Sequence, residues 1–146
     1  MPQGQAGKVH DVLRLSLAPV LRDVAASGVP MPDIRDKVWT RQSHIASAMM
    51  WSRTGGGTGV QVDLTASEPD RVAHVADQVQ EWVIEELWGH APTNWPVCPG
   101  HPATHPLSAG TAGDVAAWVC PHDGTRVAAI GALPATGAVP ATGALP

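Results

Sequence analysis

The apolar positions of this chain fall into two helical stripes, one pair of alternating runs, and a set of shorter runs near the C-terminus. From about His10 to Ser27, the residues Leu13, Leu17, Val20, Leu21 and Val24 recur at spacings of three and four. That spacing predicts a helix with one buried face. Gly28 stands where such a helix stops, with Pro30 and Pro32 beyond it. Pro19 lies inside the stripe, where a proline removes a hydrogen bond and crowds the preceding turn. The choice is between one kinked helix and a shorter helix capped by Ser16, and the continuous stripe favours one helix. The second stripe is stronger: Val72, Val75, Ala76, Val79, Trp82, Val83 and Leu87 share one face. Ser67 is placed to cap it, Pro69 sits in the first turn, Asp70 makes a weak capping box and Gly89 ends it. Glu81, Glu85 and Glu86 lie toward the exposed side, where carboxylates form a solvated face.

Between the helices the period changes. Val29 to Asp36 reads as an extended, turn-rich connection. Ala46, Ala48 and Met50 interleave with Ile45, Ser47, Met49 and Trp51, as in a strand buried on both faces. Val60, Val62 and Leu64 alternate with Gln61 and Asp63, the pattern of a half-buried strand. The run Gly55 to Gly59 joins them, and an antiparallel hairpin closed by a glycine-rich loop follows. A phosphate-cradling loop would carry a lysine or open a helix; this one lacks the lysine and leads into a strand. Two short strands are expected at Val115 to Val119 and Arg126 to Ile130. After Gly131 the chain runs Ala-Leu-Pro-Ala-Thr-Gly, Ala-Val-Pro-Ala-Thr-Gly, Ala-Leu-Pro. A proline every sixth residue forbids a regular helix, and an uncharged repeat this short reads as a disordered tail.

Composition narrows the picture. The net charge is −4 and the pI about 5.9, with the nine Lys and Arg scattered rather than clustered. Nucleic-acid modules draw their affinity from basic patches, so nucleic acid is not the expected partner. No apolar run approaches the ~20 residues that cross a bilayer, and His10, Asp11 and Arg14 interrupt what would be a signal peptide. A soluble, cytoplasmic protein without membrane association is expected. Leu133-Pro134-Ala135-Thr136-Gly137 resembles the sortase sorting signal, which calls for a signal peptide upstream and a membrane span and basic tail downstream; none of the three is expected here, and the repeat accounts better for the match.

The candidate chemistry lies in two segments that hold the only two cysteines: Trp95-Pro96-Val97-Cys98-Pro99-Gly100-His101 and Trp118-Val119-Cys120-Pro121-His122-Asp123-Gly124. In a reducing compartment, cysteines beside histidines read as metal ligands before they read as a disulfide. Zinc takes thiolate and imidazole ligands in a tetrahedron, and two turns that each offer ligands at i and i+3 supply four corners. Cys98 and His101 are one such pair; Cys120 and Asp123, after an eighteen-residue gap, are the other. Asp123 occupies the fourth corner by spacing, but aspartate is an uncommon ligand in structural zinc sites. His105, four residues after His101 in a proline-rich loop, ranks first for that corner, ahead of Asp123 and His122. Cys98, His101 and Cys120 belong to every version. His10, His44, His74 and His90 follow no such pattern.

This region resembles a zinc ribbon with half its cysteines replaced. The resemblance covers about a quarter of the chain and implies a small β module with a structural metal. The Cys-Pro, His-Pro-Leu and Trp-x-Cys-Pro pattern is also similar to that of short proteins from high-GC Gram-positive bacteria, a likeness that implies no activity. The expected architecture is therefore α+β. A helix–β-hairpin–helix domain spans 1–91, a zinc-ribbon-like module 92–131 and a disordered tail 132–146. The expected function is that of a non-enzymatic, zinc-binding adaptor with a protein partner. The alternatives are a zinc enzyme with an open site of two cysteines and one histidine, and a nucleic-acid-binding ribbon. Catalytic signatures such as H-x-E with P-C-x-x-C, H-E-x-x-H and G-x-S-x-G are absent from the sequence. No oligomeric state is implied.

Overall fold

A computed structural model of the chain describes residues 8–89 and 93–135. The expectations for residues 1–7, for the start of the linker at 90–92 and for the repeat at 136–146 lie outside these described residues. Among the described residues the architecture is mixed α+β, with two helices and two three-stranded antiparallel sheets. In order, the elements are α1 (Asp11–Ser27), β1 (Asp33–Asp36), β2 (Ile45–Trp51), β3 (Gly57–Asp63), α2 (Glu68–Leu87), β4 (Ser108–Ala112), β5 (Val115–Val119) and β6 (Arg126–Ala129). Among the described residues no helix is long and apolar enough to cross a membrane.

Both helices start and stop where their local chemistry dictates. The Ser67 hydroxyl accepts the Asp70 N–H at the head of α2 (3.3 Å). α1 is one helix with Pro19 inside it. It ends at Gly28 in the left-handed conformation (φ 71°), the C-terminal role that glycine fills without steric cost. The predicted stripes are the buried faces: Leu13, Leu17, Val20 and Val24 on α1, and Val72, Val75, Ala76, Val79, Trp82, Val83 and Leu87 on α2.

The first sheet, in order β1-β2-β3, corrects the simple hairpin. The connection at 29–36 supplies a third strand, with Asp33 opposite Trp51 and Asp36 opposite Ala48. Four residues with two charges at their ends show too little alternation to mark a strand, and pairing to β2 decides it. β2 is not buried equally on both faces. Ala46, Ala48 and Met50 are buried against the helices, whereas Trp51 on the other face is exposed. The glycine run is also more than a turn. Gly57 and Gly59 lie within β3, and a Cβ added there would come within 2.7 Å of the Trp51 ring and 2.9 Å of the Trp39 ring. The two indoles lie over glycines, and the Trp39 N–H donates to the Ala48 carbonyl (3.0 Å).

The second sheet, β4-β5-β6, carries a strand the sequence did not announce, because Ser108–Ala112 (SAGTA) has almost no apolar alternation. It pairs along its length with β5, from Ser108 opposite Val119 to Ala112 opposite Val115. Buried residues from both sheets and both helices form one cluster, including Trp95, Leu107, Trp118, Cys98 and Cys120. Trp95 and Trp118 meet edge to face with centroids 5.6 Å apart.

Two buried polar side chains tie the helices to the C-terminal region. Asp23 on α1 is fully buried. Its carboxylate accepts the Trp118 indole N–H (2.8 Å), the Gly131 N–H (2.7 Å) and the Leu133 N–H (3.0 Å). Arg22 adds a hydrogen bond to the Gly131 carbonyl. Leu133 is buried, so the stretch expected to be a free tail from residue 132 begins with a core side chain. Gln80 on α2, also buried, donates through Nε2 to the carbonyls of Trp95 (3.1 Å) and Leu107. Those carbonyls flank the loop that carries the cysteine–histidine cluster.

Candidate metal centre

Two loops build the centre. The first runs between Trp95 and Leu107, and its base is closed by an isolated bridge of Val97 with Pro106 and by the Leu107 N–H donating to the Pro96 carbonyl (2.8 Å). Inside it the chain coils tightly. The His101 N–H donates to the Cys98 carbonyl (3.0 Å), and the Thr104 N–H to the His101 carbonyl (3.1 Å). Those turns bring His101 and His105 side by side, ring centroids 4.8 Å apart. Asn94 braces the loop from outside, donating to the Pro102 carbonyl (3.1 Å). The second loop is the β5–β6 turn. The Cys120 N–H donates to the Thr125 carbonyl and the Gly124 N–H to the Cys120 carbonyl, both at 2.8 Å. Gly124 sits at φ 78°, a conformation that lets the turn close around the sulfur. Backbone hydrogen bonding from Asp123 and His122 in that turn favours the thiolate of Cys120.

The four donor atoms of Cys98, His101, His105 and Cys120 all lie within 4.8 Å of one another. Both cysteines are buried and unpaired. His101 Nδ1 is 3.6 Å from each sulfur. With zinc–sulfur and zinc–nitrogen bonds of about 2.3 and 2.05 Å at a tetrahedral angle, the nitrogen–sulfur edge is about 3.6 Å. Hydrogen bonding alone explains the arrangement less well, because one imidazole nitrogen has a single lone pair and cannot take a proton from both thiols. His105 is set up from behind. Its Nδ1 lies 3.1 Å from the Pro106 carbonyl, which fixes Nδ1 as the protonated nitrogen. That leaves Nε2 buried with no hydrogen-bond partner. An imidazole whose far nitrogen donates to a carbonyl is the usual support of a metal-ligating histidine.

The two other residues considered for the fourth corner stand outside this group of four. His122 is exposed and packs edge to face on His101, centroids 5.3 Å apart. The Asp123 carboxylate is engaged by Thr125, whose N–H reaches it at 2.8 Å. The Thr125 side chain, the Thr125 backbone and the Cys120 thiol together hold its carboxyl down at about 2. Without an ion, burial pushes the Cys120 thiol above its ordinary value, against the pull of the two turn amides. A bound cation would reverse that balance, since thiolate is the ligating form.

The grouping differs from the two-plus-two spacing of a ribbon: three donors come from the first loop and one from the second. Spacing alone misses this, since His105 lies beyond the i+3 position and reaches the site only because the proline-rich loop coils. Sequence reasoning also missed Gln80, which holds the base of that loop. Its signal was present, a lone amide on the Ala76–Val83–Leu87 side of an apolar stripe. A small cavity of about 180 Å³ lies beside the site, lined by Cys98, His101, Cys120 and Asp123 among others. No protein-family profile, curated protein or solved structure matches the chain.

Proposed function

We propose that the protein is a zinc-binding, non-catalytic adaptor whose ion is structural and whose partner is another protein. The observation that carries the metal reading is the convergence of two sulfurs and two imidazole nitrogens within 4.8 Å. A two-sulfur, two-nitrogen donor set suits zinc, and four protein ligands complete its usual coordination and leave no place for substrate. The ion would join the loop 98–105 to the β5–β6 turn. Binding free energy at such a site is folding free energy, because the unfolded chain does not hold the ligands together. The acidic balance and scattered basic residues favour a protein over a nucleic-acid partner. A second reading, an open catalytic site of Cys98, His101 and Cys120, draws support from the cavity bordered by those three residues and Asp123.

The test is metal analysis of the purified chain beside Cys98→Ser, Cys120→Ser and His105→Ala, followed by cobalt substitution. The expected result is one zinc per chain, lost in both serine variants, and a tetrahedral cobalt spectrum with thiolate charge-transfer bands. Equal metal content in all four proteins removes the metal reading. Azide separates the two remaining roles: an unchanged cobalt spectrum supports the closed structural site, and a shifted one supports the open site.

A further inference from the structure

The two edges of the first sheet are finished differently. At β3 the edge is closed. The Gln61 N–H donates to the Gln78 side-chain oxygen (3.0 Å), and the Gln78 side-chain amide donates to the Gln61 carbonyl (2.8 Å). That side chain, from α2, takes both bonds that a further strand would make. At β1 the edge is open: β1 pairs with β2, and among the described residues no backbone group bonds to its other side. In an antiparallel pair every second residue turns its N–H and C=O away from the partner strand. Alternate residues of Asp33–Asp36 therefore present both groups outward. Beside this strand, between it and α1, lies a groove of about 300 Å³. Arg14, Leu17 and Leu21, at i, i+3 and i+7, line it from the helix, Ile34 from the strand, and Lys8 and Val9 from the segment before the helix. Leu17 belongs to the buried core, and Val9, Leu21 and Ile34 are half-buried against it. The lining is thus apolar apart from two cations.

We propose that this edge and groove bind the extended C-terminus of a partner protein. The partner adds a strand to β1, drops an aliphatic side chain into the groove and leaves its terminal carboxylate beside Lys8 and Arg14. Three features select this occupant. Unpaired strand groups recognise an extended main chain, and a groove beside them reads its alternate side chains. The groove is also small, at the low end of the about 300–1,000 Å³ of ligand sites, which suits a chain end rather than a through-running segment. Finally, both charged residues that line it are cations, although the chain as a whole carries −4. Among the described residues Lys8 has no ion-pair partner. Arg14 has Asp11 at 3.4 Å, with both side chains more than half exposed. A carboxylate there competes mainly with water, because an exposed pair of this kind is weak. The charges on β1 itself do not compete, since Asp33 and Arg35 pair with each other (2.9 Å). Four strand residues at about 3.3 Å each offer about 13 Å of edge, so roughly four partner residues are read. The proposal rests on the reading of the protein as an adaptor for another protein. It does not rest on the ion, since no residue of the metal cluster lines the groove.

The experiment screens the full chain against a pool of acetylated synthetic hexapeptides, varied at every position, with a free terminal carboxylate, and against the same pool amidated. The strongest binders are measured by fluorescence anisotropy on the parent and on a Lys8→Glu, Arg14→Glu double variant, with urea unfolding as the control for folding. The proposal expects an aliphatic last residue among the binders. It expects a loss of about 10-fold or more on amidation, and likewise in the charge-reversed variant, the size of one charged hydrogen bond. Alternate backbone amides of β1 should gain hydrogen-exchange protection in the complex. An absence of binders overturns the proposal, and so does binding that is indifferent to amidation or to charge reversal. Peptides that bind without protecting β1 overturn this site while leaving a protein partner in place. Decanoate that binds as tightly as the best peptide, again without protection at β1, makes the ligand a free carboxylate and overturns the added strand. Equal metal content in the cysteine variants removes the metal reading but changes none of these outcomes, so the two failures are told apart.

Discussion

Replacing Asp23 tests how the helices hold the C-terminal region in place. Three N–H donors from distant residues, Trp118, Gly131 and Leu133, converge on this carboxylate at 2.7–3.0 Å, beside the neighbouring Arg22 guanidinium at 3.4 Å. All three come from residues about a hundred positions away in sequence, so the carboxylate closes a long-range contact rather than a local one. In Asp23→Ala each donor loses its acceptor. At about 1–3 kcal/mol for each unsatisfied buried donor, the cost is roughly 3–9 kcal/mol, with water entering the vacated space favouring the lower half. The total stability of a domain this size is about 5–15 kcal/mol, so the alanine variant is expected to lose a large share of it. Asp23→Asn is the more informative change. Its volume is the same, but one of its two termini becomes a donor facing the Leu133 N–H or the Trp118 and Gly131 pair. The expected loss is about 2–4 kcal/mol. The assay is urea unfolding at neutral pH under a fixed zinc excess, because an ion that binds only the folded state shifts the midpoint by mass action. Tryptophan emission and far-ultraviolet circular dichroism are read together. An Asp23→Asn chain within about 0.5 kcal/mol of the parent, the range of an ordinary surface substitution, would refute the account.

The other predictions concern separate parts of the fold. Gln80→Met removes the amide that holds the Trp95 and Leu107 carbonyls; it is expected to weaken metal affinity in a competitive chelator titration by about 10-fold, the size of a lost supporting contact. Gly131→Ala combines a positive φ of 104° with a Cβ 2.9 Å from Pro19 Cβ, for an expected loss of at least about 2 kcal/mol. Gly100→Ala, where the added methyl meets nothing within 4 Å, is the near-neutral control in the same urea assay. The Asp63 carboxyl is held below its ordinary value, first by the Thr65 hydroxyl and then by the Thr65 N–H, with His44 and His74 adding to the effect. A lowered folded-state value stabilises the fold above the unfolded value and ceases to do so as the pH falls through the lowered one. Thr65→Val should therefore be less stable than the parent at neutral pH, with a gap that closes on acidification, and its Asp63 carboxyl should titrate closer to 3.8 by carbon-13 spectroscopy.

The sequence made the helices plain because each has a long apolar stripe and a stop residue that only its own backbone requires. Ser67, Gly28 and Gly89 act where local chemistry places them, and tertiary contacts need not be known to read them. β2, β3 and β5 were readable for the same reason, since Ala46, Val60 and Trp118 fall on alternating or apolar runs. β1 and β4 were not, because Asp33–Asp36 and Ser108–Ala112 carry no pattern of their own and become strands by pairing with β2 and β5. The metal cluster was legible in its residue types and in Cys98, His101 and Cys120. His105 was a chemical choice, and the coil of the loop brings it beside the other three. Asp23 was hidden. A charged residue between Leu21 and Val24 on a helix reads as surface until the indole and the two amides it serves are seen.

The position of these pins shows what an ion at the four donor atoms would add to the C-terminal region. Its three strands are short, and among their fourteen residues only Ala117 and Trp118 are fully buried. That is too little apolar area to fix two loops against each other when ordering each residue costs about 1–2 kcal/mol. Asp23 and Gln80 anchor this region to the helices at Trp118, Gly131 and Leu133 and at Trp95 and Leu107, which lie around the metal loops rather than at their tips. The tips, Cys98 to His105 and Cys120 to Gly124, are left to one another, and the cross-link available to them is the one their four donor atoms define. Chelation should therefore loosen 98–105 and 120–125 first and leave α1, α2 and the first sheet protected. Hydrogen exchange with and without zinc reads this directly, and uniform loss of protection across both sheets would show that the ion holds the whole core rather than its two loops.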